Sequence, residues 1–186
     1  MSEARTRLLE AVVTELDERG LGDRSLRDIA DAAGTSHRML IHHFGSREGL
    51  LVAVVEAVEE GERQRALALG PLERGGEQVR SAYRETWRHF AARAQAGRER
   101  LFFECYARGL QGEEPFVRLS AAAVTTWLPM LTKLQEASGA PAGVAKARAR
   151  LDLALIRGLL LDLLATGDRR GTAAAIDEYA RLVQAG

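Results

Sequence analysis

Leucine, isoleucine and valine recur three and four residues apart along almost the whole chain, and no stretch alternates apolar with polar residues long enough for a strand. Leu9, Val12, Val13 and Leu16 form the first apolar stripe, which stops at Gly20. Leu21-Gly22-Asp23-Arg24 reads as a tight connection, after which Ser25 offers an N-cap hydroxyl to a short helix carrying Leu26, Ile29 and Ala30 and ending near Gly34. Thr35 or Ser36 can cap a third helix, with Leu40 and Phe44 one turn apart. Ser46 caps a longer fourth helix, with Glu48 in its first turn and Leu51, Val54, Val55 and Val58 on its inner face.

Past Gly61 the clearest breaks are Gly70-Pro71 and Gly75-Gly76. The pattern predicts further helices over 77–96, 98–110, 115–136 and 144–166, and a last one from about 172 to 184. Pro129 sits inside the third of these runs and has no N–H for the Thr125 carbonyl, so a kink or break is expected there. The expected fold is all-α, with about nine helices: a three-helix domain over 1–47 and a larger helical domain over 48–186.

Composition narrows the class. The 186 residues are 46% hydrophobic and 28% charged with a formal net charge of zero, as in ordinary folded proteins and unlike disordered ones. The longest apolar runs, such as Leu50 to Val55, are far shorter than a bilayer span, and no membrane partner is expected. The first residues carry acids and helix-period leucines rather than the basic and apolar segments of a secretory signal. A lone cysteine, Cys105, excludes an intrachain disulfide framework and suits a reducing compartment, so the cytoplasm is expected. Residues 1–48 hold seven arginines against nine acids, a net of −2. Global charge therefore makes no case for nucleic-acid binding, and only local placement can.

Local placement makes that case. Between Ser36 and Arg47 lie His37, Arg38, His42, His43 and Arg47, and no Asp or Glu occurs from Ala32 to Arg47. Two short helices joined by a turn containing Gly34 describe a helix-turn-helix. Ala30 lets the helices cross closely, Gly34 supplies a left-handed turn, and Ile29, Leu40 and Phe44 face inward. His37, Arg38, Met39 and His42 are left on the outer face of the second helix. A face free of carboxylates suits a phosphate-lined groove, where each arginine releases counterions and can also read guanine. Ser36 and Ser46 each open a helix N-terminus to an anion. Adjacent His42 and His43 diverge by about 100° on a helix and have no third ligand at suitable spacing, so no metal and no cofactor is expected.

The stretch SLRDIADAAGTSHRMLIHHFGSREGLL closely resembles the DNA-binding domain of TetR-family transcriptional regulators, specifically over roughly residues 5–55 and beyond that only in helix number and length. The resemblance implies that Ser25 and Arg27 meet the DNA backbone or a nearby base. It implies that His37, Arg38 and Met39 read the major groove and that His43 and Arg47 contact phosphate, and Thr35, Ser36 and His42 complete the expected DNA-contacting set. Arg47 stands where the family has lysine, which replaces a point charge with a planar fork. Ile41 stands where tyrosine is usual, which removes a hydroxyl contact. Met39 stands where a small threonine is common, which points to an altered base preference.

Eight of the ten aromatic residues lie between Tyr83 and Trp127. Core packing accounts for most of them. The resemblance implies an effector pocket among the middle helices, for which Trp87, Phe90, Phe103, Tyr106, Thr126, Trp127 and Met130 are the candidates. The helix over 144–166 is apolar nearly all round, so one side can meet the core and another a copy of itself. The resemblance implies a homodimer through the last two helices, binding double-stranded DNA at an inverted-repeat operator. The expected function is a repressor released by an unidentified small-molecule effector, and not an enzyme. Two other classes stay open: a small all-α enzyme whose scattered residues converge in space, and a ligand or interaction module whose head no longer reads DNA.

Overall fold

The computed structural model describes residues 2–19, 21–22, 24–71 and 77–185. Among these residues the chain forms α1 (Glu3–Arg19), α2 (Leu26–Ala32), α3 (His37–Phe44), α4 (Arg47–Leu69), α5 (Glu77–Phe90), α6 (Ala96–Leu110), α7 (Phe116–Thr125), α8 (Trp127–Ala137), α9 (Ala142–Thr166) and α10 (Arg169–Ala185), with one 3₁₀ turn at Arg93–Gln95. No strand occurs among them, and the fold is all-α. The stop expected at Gly20, Asp23 of the first connection and the break at Gly75-Gly76 lie outside the described residues. Ten helices stand where about nine were expected, because the run over 115–136 is two. Helix α7 ends at Thr125 and α8 begins at Trp127, where Pro129 leaves the Thr125 carbonyl without its helical donor.

Two compact units share the chain, one made of Met1–Gly61 with Gly97–Ala122, the other of Glu62–Ala96 with Ala123–Gly186. The division falls within α4 and within α7. The first unit closes on Val12, Leu16, Ile29, Leu40, Leu50, Leu51, Cys105 and Phe116, all buried. Three of the four residues expected on the first stripe are in that core, and Val13 is half-buried. On α4, Leu51, Val54 and Val55 are buried as expected, Leu50 and Ala53 join them, and Val58 is half-buried. Two acids of α1 turn inward rather than to solvent: Glu15 pairs with Arg24 over 2.9 Å, and Asp17 takes both nitrogens of an Arg98 fork. These are hydrogen-bonded ion pairs, the form in which a buried carboxylate is tolerated.

In the second unit α8 packs on α9 and α5 on α10. Val79, Trp87, Trp127, Leu160, Leu163 and Ile176 fill the interior. Ala145 and Ala149, one turn apart and fully buried, bring the α9 backbone close to its neighbours. Leu151 and Leu161 of the same helix remain 58% and 53% exposed. Among the described residues no helix is long and apolar enough to cross a membrane.

Candidate nucleic-acid interface

The α2–α3 pair is built from its caps. The Ser25 hydroxyl accepts the Asp28 N–H at 3.2 Å, while the Asp28 carboxylate takes the Ser25 N–H at 2.8 Å, which is a complete capping box. That box, chiefly through the Ser25 hydrogen bonds, holds the Asp28 carboxyl below its ordinary value. Helix α2 ends at Ala32, and Gly34 then turns the chain at a φ of +67°, the left-handed conformation the turn requires. Ser36 then starts α3, its hydroxyl accepting the Met39 N–H at 3.2 Å. The first N–H groups of α3 are left without helical partners, a ready anion site.

The inner face of α3 is set by Leu40, which like Ile29 of α2 is 0% exposed. Phe44 is half-buried, with the Arg5 guanidinium 5.0 Å from its ring centroid, a cation–π contact that ties α1 to the end of α3. Gly45, at φ +79°, turns the chain into α4, whose first turn is capped by Ser46 accepting the Gly49 N–H at 3.0 Å. Gly49 itself lies against the last turn of α3. A Cβ there would come closer than 3.0 Å to the Phe44 carbonyl oxygen, so only glycine lets α3 sit this close to α4. The sequence reading did not single out Gly49. A glycine in the first turn of a helix, three residues after a Ser cap, was the available signal.

Each residue expected to meet DNA can now be placed. Ser25, Arg27, Ser36, His37, Arg38, Met39 and His42 are exposed, with Met39 at 41%, and Thr35, His43 and Arg47 are half-buried. Ile41, at 38%, shares the exposed surface. Arg27 and Arg38 carry no ion pair among the described residues, whereas Arg24, Arg98 and Arg108 each face a carboxylate. Arg47 directs one N–H to the Arg24 carbonyl at 3.4 Å. The Ser25 hydroxyl donates to Asp28 at 2.6 Å, so a phosphate seeking that proton competes with the capping box.

The expected effector-lining residues fall into both units. Phe103 and Tyr106, on α6, are half-buried in the first unit. In the second unit Trp87 and Trp127 are buried, Phe90 and Met130 half-buried and Thr126 exposed, its hydroxyl accepting from Arg63 at 3.3 Å. The most concentrated polar cluster of that unit was not anticipated. Asp152 of α9 accepts from Tyr83 at 2.6 Å and Tyr179 at 2.9 Å on one oxygen and from Gln135 at 2.6 Å on the other. Burial raises the Asp152 carboxyl above its ordinary value, against the pull of these three donors and of Arg148. Burial, then the Asp152 charge, pushes both tyrosine hydroxyls upward. The available signal was a carboxylate between Leu151 and Leu153 in a leucine-rich helix.

A capped, acid-free second helix behind a left-handed glycine turn has the form of a helix-turn-helix. Residues 8–54 match the family model described as bacterial regulatory proteins, tetR family. The chain is 46% identical over 57 residues to the transcriptional regulatory protein RaaS of Mycobacterium tuberculosis, covering 31% of this chain and 26% of that one. Across the curated relatives it matches, the chain spans from 23% to 51% of their length. Over nearly the whole chain it shares the fold of a transcriptional regulator from Rhodococcus sp. Rha1, with a TM-score of 0.70, 23% identity and coverage of 98% and 96%. It likewise shares the fold of the multidrug binding protein EbrR complexed with proflavin, with a TM-score of 0.64, 24% identity and 98% of each chain covered. The family description is of regulatory proteins, and RaaS and the Rhodococcus protein are each named as transcriptional regulators.

Proposed function

We propose that this chain is a cytoplasmic, homodimeric repressor that holds an inverted-repeat operator and releases it when a small-molecule effector binds the helical body. The observation that carries this reading is the outer face of α3, where His37, Arg38, Met39 and His42 are exposed and no carboxylate intervenes. Arg38 is the candidate base reader, and Arg27, His43, Arg47 and the N-terminus of α3 are the phosphate contacts. The division of labour follows residues 1–47 for reading and 48–186 for sensing and pairing. Exposed Leu151 and Leu161 on α9 and Leu182 on α10 support pairing through the last two helices, since a self-pairing face would bury these side chains. Two copies of one short reading helix then address two half-sites.

The likeness to a proflavin-bound multidrug binding protein supports an effector site in the helical body, with Trp87, Phe90, Trp127 and Met130 as its apolar lining. Release is a population shift. The effector prefers a conformer in which α4, which begins at the cap behind the reading helix, carries that helix out of register. The coupling is limited to the effector's differential affinity for the two conformers, typically about 1–3 kcal/mol.

Gel shifts with palindromes from the gene's own neighbourhood, repeated over a range of salt, test the reading. Arg38→Ala should relax sequence preference at about 1–3 kcal/mol for the affected base. Arg47→Ala should weaken binding to all sequences and lower the salt slope by about 1. Unchanged binding by both variants, or a chain that ignores duplexes in dilute buffer, refutes the assignment.

A further inference from the structure

The second unit contains two arginines, each with one guanidinium nitrogen left unpaired, although Arg80 feels the charge of Asp177 and Arg148 that of Asp152. Arg80 Nε and Arg148 Nη1 are buried without a hydrogen-bond partner among the described residues. The side-chain bonds between helices show that these groups stand at one level. Arg169, at the start of α10, donates to the Ala91 carbonyl just past α5, and Arg84 of α5 binds Asp177 further along α10, so α5 and α10 are antiparallel. Helices α9 and α10 form a hairpin through Gly167, with Tyr179 on Asp152. Helices α5 and α9 therefore run the same way, and the Tyr83–Asp152 bond fixes their register. Arg80 lies three residues before Tyr83, and Arg148 four before Asp152. Each is one turn back on parallel helices, so both reach the same layer.

Among the described residues, the two carboxylates whose charge Arg148 and Arg80 feel are hydrogen-bonded to other groups. Asp152 takes two tyrosine hydroxyls on one oxygen and the Gln135 amide on the other. Asp177 is held by both arms of the Arg84 fork. Buried donors of a charged group are ordinarily satisfied, and an unmet pair at one level calls for an acceptor from outside the chain. We propose that this layer is a binding site for a small oxyanion, the carboxylate or phosphate group of a metabolite or free phosphate, clasped between Arg80 and Arg148. Charge-assisted N–H bonds to such a group are the strong ones, and the planar fork matches either head group. The site is distinct from the apolar lining assigned to the effector and does not depend on DNA reading.

The full chain without DNA is titrated calorimetrically with sodium phosphate, acetate and benzoate in separate runs, at constant ionic strength made up with chloride. Saturable binding of at least one of these anions, one per chain, is expected. The run that saturates identifies the head group. Arg80→Gln and Arg148→Gln should each weaken it by about tenfold or more, since each removes charge-assisted bonds. Arg181→Gln, whose guanidinium is already held by Glu178, should leave it unchanged. Circular dichroism checks each fold, and if one arginine variant does not fold, the other decides. Failure of all three anions to saturate above chloride, meaning that water alone meets the two arginines, overturns the proposal. Binding by a folded Arg80 or Arg148 variant equal to that of the parent chain overturns it too.

Discussion

Replacing Gly49 by alanine tests how the reading helix is seated. A Cβ at Gly49 would fall within 3.0 Å of the Phe44 carbonyl oxygen and 3.3 Å from its carbon. That oxygen belongs to the last turn of α3 and cannot rotate away as a side-chain tip could, so the end of α3 must retreat by roughly an ångström, an overpacking that costs about 1–3 kcal/mol. Against this stands the gain from removing a flexible glycine in a helix, up to about 1 kcal/mol. Gly61 provides the control, since it lies in the same helix with nothing within 4 Å of its added Cβ. Gly61→Ala therefore keeps the propensity gain without the collision and should raise stability. The difference between the two variants isolates the clash, about 1–3 kcal/mol, or several degrees in Tm for a chain of this size. Urea denaturation of both proteins measures it, and gel shift should show operator affinity falling for Gly49→Ala and holding for Gly61→Ala. A Gly49→Ala protein as stable as Gly61→Ala would refute the close seating of α3 on α4.

Two further outcomes follow from groups buried away from the reading face. Burial, with the Glu104 charge adding to it, pushes the Cys105 thiol up to about 12, so the folded protein should resist a thiol reagent at pH 8 and react fully in guanidinium. Fast stoichiometric labelling of the native chain would contradict that burial. Asp152 holds its proton to higher pH when folded than unfolded, so the folded state binds more protons between the ordinary value of 3.8 and the raised one. Its contribution to stability therefore falls as pH rises through that window and stays lower above it. Asp152→Asn should flatten this segment of the stability profile, and a variant profile superimposed on the parent's by denaturation at successive pH values would count against the cluster.

Local punctuation was legible in the sequence because it acts at short range. Ser25, Ser36 and Ser46 cap the helices they were expected to cap, Gly34 turns as its position requires, and Pro129 divides α7 from α8. The inner faces followed from apolar spacing for the same reason. What escaped notice depends on pairs distant in sequence. Local pattern does not mark Glu15, Asp17 or Asp152 as inward-facing, because Arg24, Arg98 and two tyrosines reach them only through the fold. Gly49 looked like a weak helix residue until the end of α3 was laid against it. The outward set on α3 could be named from the helical period, yet the hold of Asp28 on the Ser25 hydroxyl became visible only with the capping box.

The first 48 residues carry a net charge of −2, and the reading face still suits DNA because net charge is the wrong quantity. Glu15 lies against Arg24, Asp17 against Arg98, and Glu48 within 3.8 Å of Arg108. Each of these pairs nearly cancels beyond a few ångströms. Asp28 is turned back on its own helix by the capping box. Arg27 and Arg38 have no such neighbour among the described residues, and the start of α3 adds the partial positive charge of its open N–H groups. At physiological salt an exposed charge is felt over about 8 Å, so a phosphate beside α3 responds to this face and not to the sum over the domain. Three of the nine acids of this stretch are thus spent on holding α1 to Arg24 and α6, and α4 to α6, and their charge is drawn away from the outer face of α3.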